Sequence, residues 1–230
     1  MDKEKFIQYL LKKKKSQRTI SDYTDYVAQY EKYLHKQGKS LENTDKKDLH
    51  DFQAWGEKND IKINRFLWGI KEYFEFIQKR DIQLEADILI GERYHSKFKL
   101  RDFVGVNSNT VKKLAIEGIV YAKEMVFAGR TKQNRLELSV KTGIPFDEIL
   151  ELVKLSDQSR IGGHKKIRAR LYHEAGLDTI DIMAGLEPDK LRKILVDYIE
   201  KTGFNGIPPT PGEAKHTVTM ARHMKRIVQY

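Results

Sequence analysis

A pair of glycines followed by a cluster of basic side chains is the feature of this sequence best suited to binding chemistry. Gly162 and Gly163 stand directly before a predicted helix start, and such a pair marks a positive φ or the close approach of another group. The side chains that follow are basic or titratable: His164, Lys165, Lys166, Arg168 and Arg170. Because these side chains follow at once, we expect the approaching group to be negatively charged.

The segment that holds the glycine pair has a counterpart 58 residues earlier in the chain. Six pairs of positions keep this offset: Phe103 and Ile161, Gly105 and Gly163, Val111 and Ala169, Gly118 and Gly176, Ile119 and Leu177, Met125 and Met183. A constant offset over six positions predicts a duplicated helical unit. We place the repeats at about 100–144 and 155–204.

Each copy reads as an apolar residue, a glycine, a helix, a Gly-apolar pair and a second helix, and this order resembles the helix-hairpin-helix motif. In that motif, amide groups at a helix N-terminus reach a phosphate, where the helix dipole also favours negative charge. The resemblance implies that Gly105 and Gly163 are the motif's first glycine, with Asn107 and Lys165 at the second. Asn tolerates a left-handed backbone, whereas Lys165 fits only if the glycine pair shifts the turn.

The two units together, with "AGLDTIDIMAGLEPDKLRKIL" after the second hairpin, resemble a family of uncharacterised domains built from two helix-hairpin-helix-like units. The resemblance covers about residues 98 to 225 and implies no activity. Phosphate contact and protein packing both stay open as roles for such hairpins. The expected DNA contacts here are Gly105, Asn107, Lys112, Lys113, Gly162, Gly163, His164, Lys165, Lys166 and Arg168.

The first eighty residues show apolar positions at helical spacing, which predicts four helices joined by short polar turns. Ser16 or Thr19 caps the second helix, Gly38 ends it, and Thr44 or Asp45 caps the third. The order "FIQYLLKKKKSQRTISDYTDYVAQYEKYLHKQGKSLEN", "TDKKDLHDFQAW" and "IKINRFLWGIKEYFEFI" resembles the SAM-like core-binding domain of tyrosine recombinases and phage integrases. The resemblance implies a clamp on duplex DNA through Lys14, Lys15, Ser16, Arg18, Thr19, Arg65 and Lys71.

The catalytic half of that recombinase family is not found in this sequence. Its chemistry needs a tyrosine nucleophile, two arginines and a His-x-x-Arg motif, and only the tail "RHMKRIVQY" offers similar letters. His223, Arg226 and Tyr230 lie within one or two helical turns, with no strand before them, so we interpret the similarity as accidental. We therefore expect a protein that is not an enzyme.

Composition limits the partners, cofactors and location that can be expected. The chain has 230 residues, a formal charge of +10 and no cysteine, which favours a polyanionic partner and a cytoplasmic location. Its histidines form no ligand set, and no nucleotide-binding glycine loop occurs, so no metal and no cofactor is expected. No apolar run is long enough to span a membrane.

The sequence thus predicts an all-α protein with a four-helix SAM-like bundle at 1–82, a linker at 83–99 and a tandem helix-hairpin-helix-like domain at 100–230. The leading hypothesis is largely sequence-independent binding of double-stranded DNA through phosphates, accessory to recombination or repair. The alternative is a protein-interaction module in which the acidic helix Pro145–Lys154 or the last helix docks a recombination or repair enzyme. A nuclease or lyase is the third and weakest interpretation.

Overall fold

The computed structural model describes all 230 residues and divides into two units, Met1–Ile90 and Gly91–Tyr230. All regular structure is helical, apart from one isolated bridge pair between Lys99 and Tyr121. The predicted all-α fold is confirmed. None of the helices combines the length and the hydropathy that crossing a membrane requires.

The first unit is a bundle of four helices closed by part of a fifth. Its helices are α1 Lys3–Lys12, α2 Gln17–Lys36, α3 Lys46–Lys58, α4 Asn64–Phe76 and α5 Arg80–Ser96. Ser16 and Asp45, rather than their neighbours, supply the caps of α2 and α3, because their side chains accept from the third amide of each helix. The turns after α1 and α2 use positive φ at Lys14 (+55°) and Gly38 (+71°).

Aromatic side chains fill the core of this first unit. Tyr30 packs against Phe52 and Phe74, with ring centroids 4.8 and 6.4 Å apart. Gly69 lets α4 approach α2 closely, since a Cβ there would lie 3.0 Å from the carbonyl oxygen of Tyr23. Such contacts leave little room for larger side chains, so the bundle is specified by shape as well as by hydropathy.

The segment expected to be a linker, 83–99, is helical for most of its length, and the boundary between the units falls inside α5. Ile82, Ala86 and Leu89 repeat at helical spacing and belong to the first unit's core, which explains why the chain stays helical. Gly91 is not a helix breaker here. A Cβ at that position would lie 2.5 Å from the carbonyl oxygen of Arg160, so the glycine permits a close approach of backbone.

The second unit holds the duplicated helices. After a 3-10 turn at Leu100–Asp102 come α6 Ser108–Ile116, α7 Ala122–Ala128, α8 Lys132–Thr142, α9 Phe146–Gln158, α10 Lys166–Glu174, α11 Ile180–Ala184, α12 Pro188–Thr202 and α13 Pro211–His223. The order α6–α7–α8 recurs as α10–α11–α12. At matched positions, Gly118 and Gly176 share a φ of +78°, and Gly105 and Gly163 have +78° and +90°.

The last residues of the chain pack as an extended segment on the second unit. Val228 is buried in its core, and the amide of Gln229 donates to the carbonyl oxygen of Arg130. The buried guanidinium of Arg135 donates to the carbonyl oxygens of Gly129 and Gln229 at 2.8 and 3.0 Å. Neither bond involves a carboxylate, so this guanidinium donates only to backbone carbonyl oxygens.

Candidate nucleic-acid interface

The second hairpin, Arg160–Ile167, is a short turn that leads into α10. Gly162 and Gly163 are both exposed, and only Gly163 has a positive φ. Lys165 is extended, with φ −136°, so the expected left-handed strain at this residue is absent. The strain lies one residue later, because Lys166 opens the helix with φ +48°.

The N-terminus of α10 has no side-chain cap. The amides of Lys166 and Ile167 donate to no acceptor within the protein, and the Lys166 side chain is exposed without an ion pair. Free amides, the positive end of a helix dipole and an exposed lysine together favour a bound anion.

Lys165 is held by aromatic rings and not by a carboxylate. Its Nζ lies 4.7 Å from the ring centroid of Tyr94 and 5.6 Å from that of Phe98. Burial lowers the pKa of this lysine. Tyr94 was not among the residues expected here, because sequence spacing does not reveal that its ring lies beside Lys165.

Two of the residues expected to bind DNA in this hairpin are engaged inside the protein. His164 is only 1% exposed, and its Nε2 lies 2.9 Å from Oγ1 of Thr217. The expectation that His164 contacts DNA is therefore wrong, because its ring is packed against Tyr172 and cannot reach a ligand at the surface. Arg168 is half-buried and donates to Glu213 at 2.9 Å, which leaves part of its guanidinium free.

The first hairpin, Leu100–Asn109, shares the positive φ of its glycine with the second but differs at the helix start and in its surroundings. Asn107 caps α6 by accepting from the amide of Asn109 at 2.9 Å. The face of Gly105 is covered by Arg170, whose Nε donates to the carbonyl oxygen of Val104 at 2.7 Å. The close approach that this glycine permits is thus made by an internal arginine.

Carboxylates also line the shallow pocket beside the first hairpin. Glu148 and Glu151, both on α9, face it together with Asn107. Glu148 accepts from Thr110 and Glu151 from Arg170, so the acidic helix is partly used for internal contacts. Of the remaining expected contacts, Lys112 is exposed, and Lys113 donates to the carbonyl oxygen of Gly143 at 3.2 Å. This pocket is unfavourable for a phosphate.

In the first unit, some of the residues expected to contact DNA form ion pairs or hydrogen bonds within the protein, and others do not. Lys15 donates to Glu72 at 2.8 Å, and Lys71 pairs with Asp87 at 2.9 Å. Ser16 and Thr19 hydrogen-bond each other at the start of α2, where Ser16 is the cap.

Three cations of the first unit stay exposed and without an ion pair: Lys14, Arg18 and Arg65. Arg18 and Arg65 line one shallow cleft with Trp68. This cleft, which Asp22 also lines, holds two of the seven residues expected in this unit.

Charge is distributed unevenly between the two units. Of the 43 Lys+Arg and 33 Asp+Glu, the residues from Gly91 onward hold 25 and 17, a net +8 out of the total +10. The second unit is therefore the stronger attractor for a polyanion.

The recombinase-like residues of the tail are each bound to a different partner. His223 contacts the carbonyl oxygen of Thr219, and Arg226 donates to Asp181 at 2.6 Å. Tyr230 donates to Asp157 at 3.0 Å, and burial raises the pKa of its hydroxyl. Each side chain has its own partner, so no shared site exists.

Comparison with known families matches both parts of the chain. Residues 104–224, more than half of its length, match the family described as a domain of unknown function, DUF4332. The chain belongs to the DUF4332 family. Residues 4–81 match the phage integrase N-terminal SAM-like domain. Both resemblances are confirmed, and neither match includes a catalytic domain.

No curated protein and no solved structure matches this chain. The role of the DUF4332 unit is therefore argued from its own geometry.

Proposed function

We propose that this protein binds double-stranded DNA without catalysing a reaction, through backbone phosphates and with little sequence readout. The observation that carries the proposal is the uncapped start of α10, where exposed Gly162 and Gly163 precede the free amides of Lys166 and Ile167. The integrase-like match in the first unit supports a DNA-related role, with recombination or repair as the setting.

The structure favours the second hairpin over the first as the main contact. In the first hairpin, Asn107 caps the helix, Arg170 covers Gly105 and glutamates line the adjacent pocket. The second hairpin has no side-chain cap and no arginine over its glycines, and the one glutamate paired in the first turn of α10, Glu213, is bound by Arg168. Arg18 and Arg65 of the first unit provide a secondary set of cations.

Fluorescence anisotropy with a labelled duplex at several salt concentrations tests the proposal. If about six phosphates are neutralised, log K falls against log salt with a slope near −5. Lys166→Glu is expected to weaken binding about tenfold and to reduce the slope by about one to two. Lys112→Glu, the same charge change beside the first hairpin, is the matched control and should change the affinity far less.

A glycine variant separates backbone approach from charge. Gly162 lies outside the left-handed region, and a Cβ there would be 3.8 Å from its nearest neighbour, so Gly162→Ala should fold normally. If a phosphate approaches this backbone closely, alanine weakens binding without altering net charge. Salt-independent binding, or full affinity in both Gly162→Ala and Lys166→Glu, contradicts the proposal.

A protein-interaction role is the second candidate, and one surface favours it. Ile116 and Val140 are 84% and 87% exposed, and the Glu117–Lys141 ion pair brings the ends of their helices together. Exposed apolar patches of this kind mark interaction sites. Two results together would favour this function. The folded protein would fail to bind duplex DNA at low salt, and a photoreactive group at position 140 would form a specific cross-link to another protein.

A further inference from the structure

The two long helices that follow the hairpin units end in the same way. Gly143 after α8 and Gly203 after α12 have φ of +63° and +67°. The threonine before each glycine donates its hydroxyl to the carbonyl oxygen four residues earlier, at 2.6 Å for Thr142 and 2.7 Å for Thr202. The two copies therefore reach the same cap before they diverge.

The second copy then has three extra residues. The first copy reads Gly-Ile-Pro from Gly143, whereas the second inserts Phe204, Asn205 and Gly206 before its own Ile-Pro. The isoleucine of the first copy, Ile144, is 1% exposed, and the matching Ile207 is 81% exposed. The insertion thus moves a core residue of one copy to the surface of the other.

The inserted loop lies against the first turn of α10. A Cβ at Gly206 would lie 3.9 Å from Cγ1 of Ile167 and 2.8 Å from the ring of Phe204, so a larger residue at this position would displace the Phe204 ring. Between the loop and the helix is a cleft of about 760 Å³. Its lining includes Ile167, Arg168, Leu171, Phe204, Asn205 and Ile207.

In the first copy, a lysine occupies the corresponding place. Lys113 is 58 residues before Leu171, and its Nζ donates to the carbonyl oxygen of Gly143 across the gap between helix and loop. Leu171 is shorter than lysine and carries no donor, so nothing equivalent spans the gap to Gly203. The cleft is therefore specific to the second copy.

The lining of the cleft combines apolar side chains with a few polar groups. Leu171, Ile167 and Ile207 give apolar walls, and Phe204 gives an aromatic ring. Arg168 keeps free donors beyond its bond to Glu213. Clefts of this size are typical of small-ligand sites with few polar groups, and aromatic or apolar side chains are the partners on which unpaired bases stack.

We propose that this cleft receives an unpaired nucleobase of the DNA strand whose phosphate lies at the start of α10. Ile167 connects the two places, because its amide is free at the helix start and its side chain lines the cleft. A base in an intact duplex must first leave its stack, whereas a bulged base is already accessible. The preferred DNA therefore contains an unpaired nucleotide, an inference that rests on the proposed function.

The test compares two DNA molecules on the full-length protein. One is a fully paired duplex, and the other is the same duplex with a single bulged 2-aminopurine. We expect about tenfold tighter binding of the bulged DNA, in keeping with the stacking of one base. A change in 2-aminopurine fluorescence on binding should report that the base has entered the cleft.

Two variants with a matched control locate the effect. Ile207→Ser alters an exposed side chain and should reduce the preference at least threefold, while Ile116→Ser, an equally exposed isoleucine of the first copy, should leave it unchanged. Deletion of residues 204–206 restores the length of the first copy's loop. The deleted protein, if circular dichroism shows it folded, should bind the paired duplex normally without preferring the bulge.

The outcomes separate this inference from the proposed function. Equal affinity for the paired and bulged duplexes overturns the unpaired-base site and leaves phosphate binding intact. A preference that persists in both Ile207→Ser and the deletion also overturns the site. Failure to bind either DNA overturns both proposals.

Discussion

Lowering the pH from 7.5 to 5.0 should destabilise the second unit through two buried histidines. His95 bonds Ser159 at 2.9 Å, and His164 bonds Thr217 at 2.9 Å. Burial lowers the pKa of each imidazole to about 3.

Neighbouring cations act in the same direction as burial. They are Arg160, Lys165 and Lys123 for His95, and Arg168 and His216 for His164. No carboxylate contributes to either shift, so both rings stay neutral in the folded protein at pH 5.

The magnitude follows from proton linkage. An unfolded histidine has a pKa of about 6.5, so between about pH 6.5 and 3 the unfolded chain binds more protons than the folded one. Stability is therefore lost as the pH falls through that window. From pH 7.5 to 5.0 each histidine removes roughly 2 kcal/mol from the free energy of unfolding, and the two together about 4 kcal/mol.

Urea unfolding at both pH values, followed by far-ultraviolet circular dichroism, measures this loss. Trp55 and Trp68 both lie in the first unit, so tryptophan fluorescence identifies that unit's transition separately. His164→Gln keeps a hydrogen-bonding side chain but cannot titrate, and it should halve the difference between the two pH values. His223→Gln, at an exposed position, is the control and should leave the difference unchanged.

A refutation would be a second-unit transition whose free energy of unfolding is the same at pH 7.5 and 5.0. Equally damaging would be a pH difference that His164→Gln does not reduce. Either result would mean that the buried rings gain protons in the folded state, so that burial does not keep them neutral.

Three further substitutions test other parts of the fold. Arg135→Met should lower the free energy of unfolding of the second unit by about 1–3 kcal/mol, because the buried carbonyl of Gly129 and the part-buried carbonyl of Gln229 lose their donor; circular dichroism in urea measures it. Asn107→Ala should lower it by about 1 kcal/mol through loss of the α6 cap, and an unchanged midpoint would contradict that role. Gly69→Ala should shift only the tryptophan-detected transition, by roughly 1–3 kcal/mol, because its Cβ meets the backbone of Tyr23.

Local signals in the sequence predicted most of the fold. Ser16 and Asp45 are cap residues whose side chains can bond only nearby amides, so the helix starts could be found without tertiary information. Residues 83–99 were expected to be a linker, whereas the chain is helical over Arg80–Ser96. The close approach of Arg160 to Gly91 is a long-range contact that sequence spacing does not reveal.

The candidate site was predictable in location but not in detail. The glycine pair and its cations identified the hairpin, because backbone freedom and charge are local properties. Whether a side chain there faces solvent depends on distant partners, and the ring of His164 turns inward to hydrogen-bond Thr217, 53 residues later. The same holds for Arg170, whose engagement with Val104 distinguishes the two hairpins.

The length difference between the copies is a further local signal. "KTGIP" from Lys141 and "KTGFNGIP" from Lys201 differ by three inserted residues. An unequal loop in otherwise equal repeats often lies on the binding face. The exposure of Ile207, in contrast, depends on how the longer loop packs and is not visible in the sequence.

The DUF4332 unit contains the same helical pattern twice, so each copy provides an internal control for the other. A substitution in the second copy can be judged against the matching position in the first, under identical solvent, temperature and preparation. The substitutions Lys113→Leu and Leu171→Lys likewise exchange the side chains of one matched position between the two copies. The repeat therefore allows differences between the copies to be measured within a single molecule.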